Sequence, residues 1–260
     1  MEWYRNLRVR LHDGGSTRVC IERYRNLNIA SGVHSANPGF TEGRGQVFPV
    51  LRRRCPLIRG TDLRRAEYAD SSGQPASEEF DLSKLARVFA GWGDPLEIAQ
   101  VLRLAYWCGA VTLSSMQFFC DQYIGLDCSG FAGNYFGGRL RGCNPSDYLG
   151  FNQVTSLDQV RQGNAIVWHG GTIGHVAVID FVDPLGATSS PLERLRCWVA
   201  ESTGSQLGPD FDSRGGLTYS DYILTQGRGA VAVHRPTQTH RECEEGNYAR
   251  QDHATVREVP

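Results

Sequence analysis

The segment Tyr123-Ile-Gly-Leu-Asp-Cys128-Ser-Gly-Phe131 carries the densest chemistry in the chain. A glycine-containing loop precedes the cysteine and a short helical pattern follows it. That context places Cys128 at a helix N-terminus, where unpaired backbone N–H groups and the helix dipole favour a thiolate. The same N–H groups can cradle the oxyanion of an acyl-transfer intermediate. Ser129 and Gly130 are small and leave room for a substrate. A thiolate nucleophile needs a base, and His175 opens the strand-like run His-Val-Ala-Val-Ile-Asp180, 47 residues beyond Cys128. The base in turn needs an acceptor that fixes its tautomer. Asp180 falls on the opposite face of that strand. Asp183 has the right parity but lies roughly 26 Å along an extended chain. Glu201 sits on the next strand-like run, Trp198-Val-Ala-Glu201-Ser-Thr203, and antiparallel pairing of the two runs brings it beside His175. The residues therefore point to a Cys128, His175, Glu201 triad for nucleophilic acyl chemistry, with no cofactor and no metal. His169 is a competing base, but it follows a strand and does not open one. His240-Arg-Glu242 has the H-x-E form of a deaminase, but no P-C-x-x-C follows it.

Helices and strands must position these groups. Leu82, Leu85, Ala86 and Phe89 share one helical face. Asp94-Pro95 reads as an N-cap and first helical position, and the helix runs to Cys108-Gly109. A further helix is expected over Leu113 to Gln122, and a short one from Ser129 to Phe136. Beyond Pro145 the pattern turns to strands: Asn164–Trp168, His175–Val182, Cys197–Ser202, Leu217–Leu224 and Ala230–His234. Upstream, Arg8–Leu11, Arg18–Ile21 and Gln46–Leu51 read as strands, and Asp70–Ala76 as a turn or linker. Helices followed by adjacent strands predict an α+β fold with an antiparallel sheet. The expected organisation is an Arg-rich, β-leaning accessory region over 1–80, a catalytic domain over 81–236 and a polar tail over 237–260.

Composition excludes several alternatives. Lys84 is the only lysine among 27 basic residues, and it lies in Asp-Leu-Ser-Lys-Leu, so a phosphate-binding Gly-Lys-Ser/Thr loop is absent. A formal net charge of −1 argues against nucleic acid as the main partner. Thirteen arginines against five acids in the first 65 residues nonetheless make that part basic, as an anionic polymer would suit. None of the eight cysteines forms a C-x-x-C pair, and neither G-x-S-x-G nor H-E-x-x-H occurs. No run approaches the ~18 apolar residues of a membrane helix. The opening residues lack the pattern of a signal peptide. The chain is therefore expected to be cytosolic, mature, or exported by a route that reads no N-terminal signal.

Leu126-Asp-Cys128-Ser-Gly-Phe131 resembles the D-C-S-G-[LFVY] signature of the NlpC-type, papain-like cysteine peptidases. His175-Val-Ala-Val178 is similar to the strand that carries their base, and Gly163-Asn-Ala-Ile-Val-Trp168 to the strand before it. The third family position, a polar residue on the following strand, is matched by Glu201. The resemblance covers roughly 94–235. Asn164 replaces the family's usual Asp, and Pro184 to Arg196 lengthens the connection between the base and Glu201. The resemblance implies a papain-like fold, with the nucleophile's helix packed on an antiparallel sheet. It also implies cleavage of peptidoglycan stem peptides, commonly between D-γ-glutamyl and a diamino acid. It assigns Asp127 and Ser129, with Tyr123, to binding the amine end of the stem peptide. A recycling enzyme, a phage lysin and a toxin with a cognate immunity protein all fit. Other classes remain open: a protease, deamidase or acyltransferase acting on a protein, and a non-catalytic binding module.

Overall fold

A computed structural model describes residues 1–24, 42–140, 142–170, 174–183, 194–203, 216–236 and 248–260. The chain divides into two compact units, Met1–Asp127 and Cys128–Pro260.

The first unit begins with α1 (Glu2–Arg5) and the hairpin β1 (Leu7–Arg10) and β2 (Ser16–Val19), paired Leu7 to Val19. The region read as a strand over Gln46–Leu51 is instead helix α2 (Arg44–Arg54). Val47, Phe48 and Leu51 lie on one helical face and are all buried, which a strand over these residues would not allow. A second hairpin follows, β3 (Leu63–Ala69) with β4 (Pro75–Asp81), and the expected turn at 70–76 closes it. Helices α3 (Leu82–Phe89), α4 (Pro95–Trp107) and α5 (Met116–Tyr123) complete the unit. The Asp81 side chain accepts from Ser83 N–H at 2.7 Å and starts α3. Asp94 and Glu97 form a capping box that starts α4. The aromatic rings of Phe48, Phe89 and Phe119 meet edge to face through the core. The boundary expected at 80/81 falls instead at 127/128, because α4 packs on β1 and α5 on β2.

The second unit opens with α6 (Cys128–Tyr135). It then builds one antiparallel sheet from β5 (Asn152–Gln153), β6 (Ala165–Trp168), β7 (His175–Val182), β8 (Arg194–Thr203), β9 (Gly216–Gln226), β10 (Val231–Pro236), β11 (Tyr248–Arg250) and β12 (Ala254–Glu258). The strand order is β11-β10-β9-β8-β7-β6-β12-β5. One face buries Ile166, Ala177, Ile179, Val199, Tyr222 and Val256 among others. On the other, α6 packs Cys128 and Ala132 against Ala165, Val167, Val176 and Val178. Gln251 N–H donates to Val233 O at 2.8 Å, and β10 approaches β12, so the sheet curls around its first face. The fold is mixed α+β, as expected.

The segment read as a polar tail contributes two of these strands; its residues 237–247 lie outside the described residues. β12 sits between β6 and β5, with Ala254 and Val256 buried. Only two apolar residues mark it, too few to register as period-two alternation. The unpaired backbone edge of β6 supplies the rest of the drive, since buried N–H and C=O groups must find partners. Val256→Asp, which buries an unpaired charge, is expected to destabilise the second unit by about 3 kcal/mol. The partly exposed control Thr255→Asp should cost less than about 1 kcal/mol. Urea unfolding of both variants checks this, and equal losses would show that β12 is not part of the core.

Candidate active site

His175 and Glu201 meet because β7 and β8 pair antiparallel. Val178 lies opposite Ala200, which puts Glu201 one step closer to the start of β7. His175 Nε2 lies 2.6 Å from Glu201 Oε2. The ladder slips between Ile179 and Phe181, leaving Asp180 as the extra residue of a bulge. Asp180 accepts from the Tyr135 hydroxyl at 3.1 Å. Asp183 donates its backbone N–H to Arg196 O at the far end of the strand. Of the three acids weighed as partners of His175, Glu201 is the one the structure brings to it.

Glu201 is fully buried. Its Oε1 accepts from the Tyr222 hydroxyl at 3.0 Å and from the Arg235 guanidinium at 2.8 Å. Burial alone would push its carboxyl up. The Arg235 charge, the His175 hydrogen bond and charge and the Tyr222 hydroxyl more than offset this and hold it at about 2. Tyr222 is itself pushed well above its ordinary range by burial and then by the neighbouring carboxylate. Trp168, opposite His175 in the ladder, lays its indole 5.0 Å from the imidazole and 6.3 Å from the Tyr222 ring. Gln251 anchors that indole by accepting from its Nε1 at 3.2 Å.

Cys128 is the first residue of α6 and is buried, as are Ser129 and Gly130. Cys128 packs in the cluster of Val176 and Val178, on the face of the sheet opposite the one to which His175 and Glu201 belong by parity with Ala177 and Val199. Gly174, just before His175, lies so close to Pro145 that a Cβ there would come within 3.1 Å of the proline side chain. The six other described cysteines are thiols whose ionisation burial opposes; Cys20 and Cys55 are pushed to about 11 and Cys197 to about 12. Cys243 lies outside the described residues.

The remaining expected site residues fall differently. Ser129 is the second residue of α6. Asp127 and Tyr123 belong to the first unit. The Asp127 carboxylate accepts from Trp92 Nε1 at 2.7 Å, and its backbone N–H donates to Gly91 O at 3.0 Å. The Tyr123 hydroxyl accepts from Gln46 Nε2 at 3.1 Å. The competing base His169 sets its ring against His253, 6.5 Å between centroids. Asn164 turns its side-chain oxygen onto Arg161 N–H at 2.7 Å, a turn contact that an aspartate would make equally well. His240 and Glu242, and most of the lengthened segment 184–196, lie outside the described residues. Among the described residues no group of three or more His, Cys, Asp or Glu could hold a metal ion, and no helix is long and apolar enough to cross a membrane.

Sequence reasoning missed Tyr222, Arg235 and Trp168 as site residues. Arg235 did leave a signal: it continues the parity of Val231 and Val233, and an arginine at a core position needs a buried acid.

Comparison with known proteins finds no matching family model, no matching curated protein and no matching solved structure.

Folding lowers the Glu201 carboxyl below its ordinary 4.5. Its ionised form therefore stabilises the fold above about pH 4.5, and that contribution is lost as pH falls towards 2. Glu201→Gln leaves Arg235 buried without its counter-charge and is expected to cost about 3 kcal/mol at pH 7. The deficit relative to wild type should shrink as pH falls from 4.5 towards 2. Urea unfolding at several pH values checks this, and a deficit constant with pH would show that Glu201 is not ionised in the folded protein.

Proposed function

We propose that the chain is a cysteine hydrolase of papain-like, NlpC type that cleaves amide bonds in peptidoglycan stem peptides. One observation carries the reading. A histidine that opens a strand is held at 2.6 Å by a buried carboxylate of the next strand, and the helix packed on the other face of the same sheet begins with a cysteine. The cysteine and histidine motifs supply the substrate class by resemblance: an amide between D-γ-glutamyl and a diamino acid.

In this reading Glu201 engages Nε2 of the imidazole, so Nδ1 is the nitrogen that takes the Cys128 proton. The thiolate attacks the amide carbon. The backbone N–H of Cys128 and a second donor stabilise the oxyanion. The imidazolium then protonates the leaving amine, and water, with the imidazole as base, hydrolyses the thioester. Glu201 holds the tautomer and stabilises the imidazolium. Trp168 packs against the ring at 5.0 Å and helps fix its position. Ser129, next to Cys128 in α6, is assigned to the substrate amine by its motif position.

Muropeptides incubated with the wild type should yield a new amine-bearing fragment by mass spectrometry. Cys128→Ala and His175→Ala should yield none above background, a loss of at least ~10³-fold. Turnover by Cys128→Ala would reject the nucleophile. No turnover of any stem peptide by the wild type, with Cys128 still alkylated rapidly by iodoacetamide, would leave a cysteine hydrolase of another substrate, such as a protein.

A further inference from the structure

We infer that Arg235 is a positioning residue of this site: its buried ion pair keeps Glu201 ionised, so that the carboxylate can hold His175 throughout a catalytic cycle. The inference rests on the proposed role of His175 as the base and extends it to a residue of β10.

The geometry gives each Glu201 oxygen a fixed task. Oε1 takes the Arg235 guanidinium at 2.8 Å and the Tyr222 hydroxyl at 3.0 Å. That leaves Oε2 directed at His175 Nε2, 2.6 Å away. The carboxylate has no exposure to solvent and the Arg235 side chain only 8%. A carboxylate without water reverts to its neutral acid unless a cation stands beside it. His175 is an intermittent cation in the proposed cycle, charged after it takes the thiol proton and neutral after it gives that proton away. A guanidinium does not deprotonate. When the imidazole is neutral, Arg235 is the cation left beside Glu201.

Among the described residues, the groups around the pair come from every neighbouring strand. β7 contributes His175, β9 contributes Tyr222, β10 contributes Arg235, and β8 itself carries Cys197 further along the same face. β6 contributes the uncharged Trp168, anchored by the uncharged Gln251. α6 packs on the opposite face of β7 and β8, where Cys128 joins the cluster of Val176 and Val178, and it contributes no group to this one. Two charged or titratable neighbours in sequence turn to the other face. Asp221 binds Arg196 and the Tyr248 hydroxyl, and His234 meets the Thr225 hydroxyl at 3.0 Å. His169 and His253 pair with each other in adjoining loops.

The test uses the full chain, with glutamate labelled by ¹³C at the side-chain carboxyl and its NMR shift followed from pH 4 to 8. In the wild type Glu201 should stay ionised throughout. In Arg235→Gln it should titrate inside this window, while Arg235→Lys, which keeps the charge, should behave as the wild type. The rate of Cys128 alkylation by iodoacetamide, read by mass spectrometry, should lose its acid limb at least one pH unit earlier in Arg235→Gln than in Arg235→Lys. A folded Arg235→Gln with Glu201 ionised from pH 4 to 8 would overturn the inference, because His175 alone would then suffice. If Arg235→Gln does not fold, Arg235→Lys decides: Glu201 titrating above pH 4 in that folded variant would show that the cation's charge is not what holds the carboxylate. Neither readout needs a substrate, so failure of muropeptide cleavage, which tests the proposed function, is told apart from failure here.

Discussion

A carboxylate sealed from water governs the second unit. Glu201 meets donors from three other strands, His175 of β7, Tyr222 of β9 and Arg235 of β10. An unpaired buried charge is among the costliest defects a fold can carry. Glu201 is therefore tolerated only in the register that delivers all three donors. A slip of one residue in β8 would turn Glu201 to the opposite face and carry Val199 and Cys197 out of the core with it. The polar cluster and the apolar packing thus select the same strand alignment. The arrangement that specifies the sheet is also the one that orients the imidazole.

Cys128 answers to a different constraint. It lies on the face of the sheet where α6 packs, with Val176 and Val178 beneath the helix. α6 contains Gly130 and Gly133, poor helix formers, yet both are buried. Glycine costs such a helix about 1 kcal/mol per position relative to alanine. Packing against β7 and β8 offsets that cost and allows a close approach to the sheet. The other thiols show what burial does without a helix start: desolvation opposes their ionisation, most severely at Cys120 and Cys197, deep in the two cores. Among the described cysteines, Cys128 is the one that opens a helix.

Much of this was legible in the sequence wherever apolar periodicity ran long enough. β7 begins at His175 and ends at Val182, as the alternation indicates, and Asp94-Pro95 starts α4. The parity argument for Glu201 over Asp180 holds, and the bulge at Asp180 adds to it. The missed elements share a cause: their pairing is written in polar or sparse residues. β3 and β4 carry Arg64, Arg65, Glu78 and Glu79, and Arg65 meets Glu79 across the ladder at 2.9 Å, a match that hydrophobic patterning does not register. Six residues of α2 fit either period, and only the burial of Val47, Phe48 and Leu51 together settles it as a helix. Arg235 escaped because the strand was ended at His234, one residue short of its most informative position.

A buried ion pair is weak evidence for stability, since an apolar substitute of the same shape often does as well. The Glu201–Arg235 pair therefore needs a reason other than holding the sheet together. An apolar pair at these positions would pack, but would leave His175 Nε2 without an acceptor. A neutral amide in place of Glu201 would accept from Nε2, but would leave Arg235 uncompensated and offer no charge to balance an imidazolium. A glutamate without the arginine would depend on the histidine's proton for its own ionisation, tying the acceptor's charge to the group it is meant to steady. Glutamate with arginine is the combination that keeps the acceptor charged whatever the charge of the imidazole. For the proposed base that constancy is the use of the pair, and it gives the arginine a task beyond holding the sheet together.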